Sequence, residues 1–166
     1  EIGLAAVVAE AVSLVEREIA EHAVTLALDL ADDTPAVVAD RVQIQQVVIN
    51  LVVNAVQAMA EAPERTLTIR VGRGVPPQGQ VRWDGPGVVV TVADTGSGID
   101  ETAMARLFTA FFSTKATGMG MGLSICRSII EAHDGTIWAA PNPERGVSFH
   151  FVLPPAAGRA EDTDHA

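Results

Sequence analysis

The stretch from Arg41 to Ala60 carries no Asp or Glu, although it is long, rich in valine and patterned as a helix. A surface helix ordinarily shows a charged face to water. Here the polar face is made of amides. Gln43, Gln46, Asn50, Asn54 and Gln57 follow one another at steps of three and four and so share one stripe, with Gln45 off to the side. Asparagine is a mediocre helix former, so Asn50 and Asn54 one turn apart need a reason beyond propensity. Two reasons stay open. The stripe is a solvated or hydrogen-bonded face, or its amide oxygens are neutral hard ligands for a cation such as Mg²⁺, which takes a few protein oxygens beside phosphate oxygens and water.

The segments around this helix fall into an order that predicts an α+β fold. Apolar residues at Leu4, Val7, Val8, Ala11, Val12, Val15 and Ile19 have helical spacing. Alternation at Val24, Leu26, Leu28 and Leu30 reads as a strand. Asp32-Asp33-Thr34-Pro35 makes a turn before a short second strand at Val37-Val38. Asp40 with Gln43 resembles a capping box that opens the amide-bearing helix. Strands follow at about Thr66–Val71 and Val88–Ala93, joined by a Gly- and Pro-rich loop from Gly72 to Gly87. Asp100 is placed to cap a further helix, and another runs from Met121 to the neighbourhood of His133-Asp134-Gly135. Closing strands at about Thr136–Ala139 and Val147–Leu153 meet at Pro141-Asn142-Pro143. The expected fold is a two-layer α/β sandwich, a mixed sheet with helices on one face, over residues 1–155, with a disordered tail at 156–166.

Composition narrows the function classes. Among 166 residues, 48% are hydrophobic and 19% charged, a globular balance and not a disordered one. The net charge of -10 repels phosphate backbones and anionic lipid, which disfavours a nucleic-acid or membrane-surface role. The single Cys126 cannot form an internal disulfide, consistent with a reducing compartment. No apolar run approaches the roughly 20 residues of a membrane span. The opening Glu1-Ile2-Gly3-Leu4 lacks an initiator Met and runs straight into helical periodicity, as expected of a piece of a longer protein.

Three further clusters carry chemistry. Asp94-Thr95-Gly96-Ser97-Gly98 follows an apolar strand; an Asp there can accept from an exocyclic amine, and glycines let a ring approach the backbone, although the pattern alone is a common turn. Phe108-Thr109-Ala110-Phe111-Phe112-Ser113-Thr114-Lys115 holds three of the five Phe. Gly118-Met119-Gly120-Met121-Gly122-Leu123 opens a helix, where backbone amides bind phosphate. It matches neither the dinucleotide fingerprint nor the P-loop pattern.

In this order and spacing the clusters resemble the ATP-binding catalytic domain of a sensor histidine kinase, within the GHKL superfamily of gyrase, heat-shock-90, histidine kinase and MutL ATPases. Asn50-Leu51-Val52-Val53-Asn54-Ala55 is similar to its N box, and Asp94–Gly98 to its G1 box. Phe108–Lys115 is similar to its F box, and Gly118–Leu123 to its G2 box. The resemblance runs from about Val7 to Pro154 and is strongest to kinases coupled to PAS sensors. It implies a Bergerat-type nucleotide site for ATP and Mg²⁺. Asp94 would hold the adenine amine above Gly96 and Gly98. Asn54 would be the metal ligand, supported by Asn50. Thr109 to Met121 would be a mobile lid, with Lys115 as phosphate cation and Gly118, Gly120 and Gly122 supplying amides. Ile99, Phe112, Thr114, Met121 and Leu123 complete the implied nucleotide-binding set. The chain departs from the family pattern at Ala110, where proline is usual, at Val53 and Gln57, where many relatives carry basic residues, and at Asp134, where glycine is usual.

The resemblance also bears on the reaction. ATP hydrolases of the superfamily carry a Glu one turn before the metal-binding Asn; here that position is Asn50, which has no useful basicity. Transfer of the γ-phosphoryl group to a histidine imidazole is therefore the expected chemistry, since it needs mainly positioning and charge neutralisation. None of His22, His133, His150 and His165 has the acidic residue and following proline of the family's acceptor. The acceptor is thus expected on a dimerisation and phosphotransfer domain upstream of Glu1, with Phe111 and Phe112 as docking candidates. A response regulator would act downstream, and the catalytic domain alone is expected to be a cytoplasmic monomer. An anti-sigma-type serine kinase and a degenerate, regulatory nucleotide-binding module are the competing readings.

Overall fold

The computed structural model describes residues 1–77, 83, 85–108 and 120–156. Within them five strands form one mixed sheet in the order β1-β2-β3-β5-β4. They are β1 (Thr25–Leu30), β2 (Thr66–Gly74), β3 (Gly87–Ala93), β4 (Thr136–Pro141) and β5 (Val147–Leu153). β1 runs parallel to β2 with Thr25 opposite Thr66, and the remaining pairs are antiparallel. The helices are α1 (Leu4–Leu14), α2 (Glu16–Glu21), α3 (Arg41–Ala58), α4 (Glu101–Arg106) and α5 (Gly120–Ala132). The α+β two-layer architecture is the one expected.

α3 is the spine of the helical layer. Ile44, Val47, Val48, Leu51, Val52, Ala55 and Val56 recur at steps of three and four and are buried against Leu67, Ile69, Val90 and Val92 of the sheet and Leu4, Val7 and Val8 of α1. Truncating one such leucine costs about 2–5 kcal/mol, because the site cannot fully collapse. On the sheet's other side, the strand register lines up Asp29, Arg70, Thr91, His150 and Trp138 in one transverse row. Thr91 Oγ1 meets His150 Nδ1 at 2.8 Å, and Trp138 stacks on the imidazole at 5.2 Å. Burial there pushes the His150 pKa down.

Local expectations fare unevenly. The first helix is interrupted at Val15 (φ -117°), just after Ser13 turns its hydroxyl back to Glu10 O at 2.7 Å, a bond that bends helices. Val37 does not start a strand; it makes a single bridge with Ile2, both bonds 2.8 Å. β2 continues to Gly74 because β3 pairs with it as far as Gly87, which shortens the connecting loop. Part of that loop, at 78–82 and 84, lies outside the described residues, as does the tail at 157–166.

Both ends of α3 and the end of α5 are finished by side chains. Asp40 accepts from Gln43 N at 3.0 Å, as a cap should. The reciprocal half of the capping box comes from elsewhere: Asp40 N donates to His133 Nε2 at 3.1 Å. Since Nε2 accepts there, the ring proton sits on Nδ1, which donates to Ile129 O at 2.7 Å. His133 thus caps its own helix and pins the start of α3. α5 ends in a Schellman pair, Gly135 N to Ile130 O at 2.9 Å and Asp134 N to Glu131 O at 3.0 Å. That motif needs a left-handed residue, and Asp134 supplies it at φ +63°. The glycine usual at this place is thus a conformational requirement that Asp134 meets at some cost.

Candidate functional site

α3 ends where the loop after β3 begins, and the two make the floor of a cleft of about 650 Å³. Gly96 sits directly on the last turn of the helix. A Cβ there would stand 2.5 Å from Ala58 O, so only glycine lets the loop seat this closely. Thr95 fastens the same junction, its amide facing Met59 Sδ at 3.4 Å and its hydroxyl donating to Glu64 O at 2.8 Å. Arg65 closes the helix terminus by donating to Ala60 O at 2.7 Å and His22 O at 2.8 Å.

Asp94 lies at the head of the cleft, 3% exposed, the one buried carboxylate among the described residues. Its Oδ1 accepts from Gly96 N at 2.9 Å and Val147 N at 3.2 Å, so backbone amides from two segments set the carboxylate plane. Ionic acceptors held by backbone amides are the strong kind. Gly98, at φ +82°, turns the loop away, and Asp100 then starts α4 by accepting from Ala103 N at 2.7 Å.

Of the residues expected in the site, Asn54, Asp94, Gly98, Ile99 and Leu123 line this cleft. Gly96 lies beneath it as structural floor. Asn50, one turn from Asn54 on the same stripe, is not on the wall; its Nδ2 points across to Cys126 Sγ of α5 at 3.8 Å. Cys126 is buried, and desolvation pushes its thiol up to about 11 despite the Asn50 hydrogen bond. Gly120, Met121 and Gly122 form the first turn of α5. Phe112, Thr114, Lys115 and Gly118, with the expected lid, lie outside the described residues. Phe108, the last residue before them, packs edge-on against Phe149 of β5 at 6.2 Å.

Gln57 of the amide stripe also lines the cleft, and sequence reasoning missed Glu61, Asp100, Leu107, Arg145 and Phe149 as further lining residues. Arg145 precedes Gly146 in the hairpin between β4 and β5, a turn that carried no signal of chemistry until the fold brought it beside Asp94. With Asp94, Glu61 and Asp100 against Arg145, the described wall is acidic on balance. A polyanion bound here needs a cation brought with it or supplied by residues outside the described set. Among the described residues, no three His, Cys, Asp or Glu side chains gather into a metal site.

A family model described as histidine kinase-, DNA gyrase B- and HSP90-like ATPase matches residues 39–157. The chain belongs to that family. It is 46% identical to sensor protein FixL of Bradyrhizobium diazoefficiens over 136 residues, 82% of this chain and 25% of that protein. To the C4-dicarboxylate transport sensor protein DctS of Rhodobacter capsulatus it is 42% identical over 155 residues, 92% of this chain and 22% of that protein. The ATPase-family chain therefore spans about a quarter of the length of these curated relatives. Its fold is that of a histidine kinase catalytic domain. The nucleotide-free catalytic domain of the histidine kinase ThkA superposes with a TM-score of 0.75 at 33% identity, covering 93% of this chain and 94% of that one. A further solved structure, ThkA in complex with the response regulator protein TrrA, matches at TM-score 0.70 and 33% identity over 93% of this chain and 41% of that one. No helix among the described residues is long and apolar enough to cross a membrane.

Proposed function

We propose that this domain binds Mg-ATP in the cleft, adenine against Asp94, and transfers the γ-phosphoryl group to a histidine on a dimerisation and phosphotransfer domain, in two-component signalling. The observation that carries the reading is the buried Asp94 carboxylate, which lines one cleft together with Asn54 of α3. Two backbone amides orient that carboxylate, and an acceptor so oriented suits an exocyclic amine. Asn54 presents a neutral amide to the wall farther along α3, suited to a hard cation whose remaining ligands are phosphate oxygens and water. Magnesium held there would, together with Lys115, supply the positive charge that the acidic wall lacks.

The chain's own residues then divide the work. Asp94 orients the base, Ile99 and Leu123 cover it with apolar surface, and Asn54 helps to hold the metal-bound phosphates in register. α3 offers no carboxylate to activate water, and Asn50 is turned towards Cys126. Glu61 also lies on the wall, but in the turn past the end of α3, seven positions after Asn54 in the chain. A cleft with no carboxylate on α3 beside Asn54 favours a nucleophile that arrives already competent, as a neutral imidazole does. We further propose that residues 1–155 form this catalytic domain, that it works in the cytoplasm, and that a response regulator accepts the phosphoryl group downstream.

The test is direct. The 166-residue chain should bind Mg-ATP by calorimetry, hydrolyse it very slowly and acquire no acid-labile label itself. Labelled ATP should phosphorylate a separately supplied phosphotransfer domain from the same sensor kinase, weakly because the tether's millimolar effective concentration is absent. Absence of ATP binding would leave a degenerate module; rapid hydrolysis would point to the ATPase branch of the family.

A further inference from the structure

Asp94 is the first residue past β3, and the β3–β5 ladder stops one position earlier, at Ala93 opposite Ser148. A residue just beyond a ladder is ordinarily loose, yet this one is held on every side by the β4–β5 hairpin. Asp94 N donates to Val147 O at 3.0 Å, and Val147 N donates back to Oδ1. The Asp94 carbonyl accepts from Asn142 Nδ2 at 2.8 Å. Arg145 reaches over the next two peptides, its Nε shared between Thr95 O and Gly96 O at 3.1 Å each. The hairpin tip is itself braced: Asn142 N donates to Gly146 O at 2.9 Å, and Asn142 Oδ1 accepts from the Ser148 hydroxyl. Gly146, at φ +89°, passes so close that a Cβ would stand 2.1 Å from Asp94 O.

We propose that the hairpin tip, through Asn142 and Arg145, is the positioning element that aims the Asp94 carboxylate and thereby sets how strongly the site prefers a 6-amino purine. Hydrogen bonds weaken steeply as their angle departs from linear, so a recognition group must be held to within about 10–20°. Asn142 fixes the peptide that follows Asp94, and Arg145 fixes the next two peptides, the first of which carries the Gly96 amide that donates to the carboxylate; Arg145 itself also lines the cleft. Their hydrogen bonds go to backbone carbonyls from Asp94 to Gly96, so their contribution is expected in base discrimination more than in triphosphate affinity. The inference rests on Asp94 as the adenine acceptor.

The test compares Mg-ATP with the Mg complex of purine riboside triphosphate, which lacks only the 6-amino group, by calorimetry on the 166-residue chain. Asn142→Ala and Arg145→Ala should each weaken ATP binding about three- to tenfold, as loss of one or two hydrogen bonds does. Affinity for the deaminated analogue should change by less than about twofold. Arg145→Lys, which can reach one of the two carbonyls, should recover part of the preference. Parallel losses for both nucleotides, or no loss for either, would overturn the positioning role. If Asn142→Ala does not fold, the exposed Arg145 decides the matter alone. Asp94→Asn is the control: it should weaken ATP binding by roughly ten- to hundredfold. If Asp94→Asn keeps the full preference for ATP, the adenine-site reading itself fails and the proposal goes with it. If Asp94→Asn loses the preference while the hairpin variants keep it, the positioning proposal alone fails.

Discussion

The two ends of the cleft are built by different means. At the α3 end, Asn50 and Asn54 stand on one rigid helix, and the helical period alone puts them side by side. At the Asp94 end, the carboxylate and its peptide are held by Gly96, Val147 and Asn142, and Arg145 braces the next two carbonyls; the hairpin partners stand some fifty residues away in the chain. The first arrangement tolerates no change of spacing but asks little of its neighbours. The second depends on distant segments meeting correctly. Even so, helical proximity did not give the two asparagines one environment: Asn54 faces the cleft and Asn50 faces Cys126. A shared stripe defines a direction, and the neighbouring helix decides who meets it.

Substitutions can break this contrast, the largest effect first. Asn54→Ala should reduce phosphoryl transfer roughly 100- to 1000-fold, the equivalent of several kcal/mol of charge stabilisation, while metal-free ADP still binds. Titrating ADP with and without Mg²⁺ checks this; an equal fall in both would make Asn54 structural. Gly146→Ala should destabilise the fold by about 3 kcal/mol through its left-handed φ and the clash with Asp94 O. Denaturant titration reads that loss, and a midpoint unmoved from that of the parent chain would show the hairpin to be far softer than its contacts indicate.

The α3 end has a smaller signature in its pH response. Burial favours the neutral Cys126 thiol, raising its pKa from 9.0 to about 11. A raised pKa stabilises the fold fully below the unfolded value, so stability should hold to about pH 9 and decline as the pH climbs towards 11. Cys126→Ala should flatten that decline in a series of unfolding curves; an identical slope would place the thiol in contact with water. The smallest effect lies away from both ends. Asp134→Gly relieves a left-handed φ of +63° and should add about 0.5–1 kcal/mol, or roughly 2–4 °C of melting temperature. Nucleotide affinity should not move, which separates general stabilisation from changes in the cleft.

Element order, the strand-rich halves around one acid-free helix, and the N-terminal caps at Asp40 and Asp100 were legible in the sequence. They depend on short-range periodicity and on backbone groups within a turn of the side chain that satisfies them. The motifs also named Asn54, Asp94, Gly98, Ile99 and Leu123 together, and these residues line one cleft, because family-like motifs carry their own spacing. What stayed hidden involves partners far apart in the chain. His133 completing the Asp40 cap, Asn50 turned to Cys126, and Arg145 bridging Thr95 and Gly96 join residues 93, 76 and about 50 positions apart. No local pattern encodes such pairs. A hydrogen bond between distant residues exists only once the apolar faces of α3, α5 and the sheet have packed, and that packing, driven by burial without direction, chooses which polar groups end up within reach.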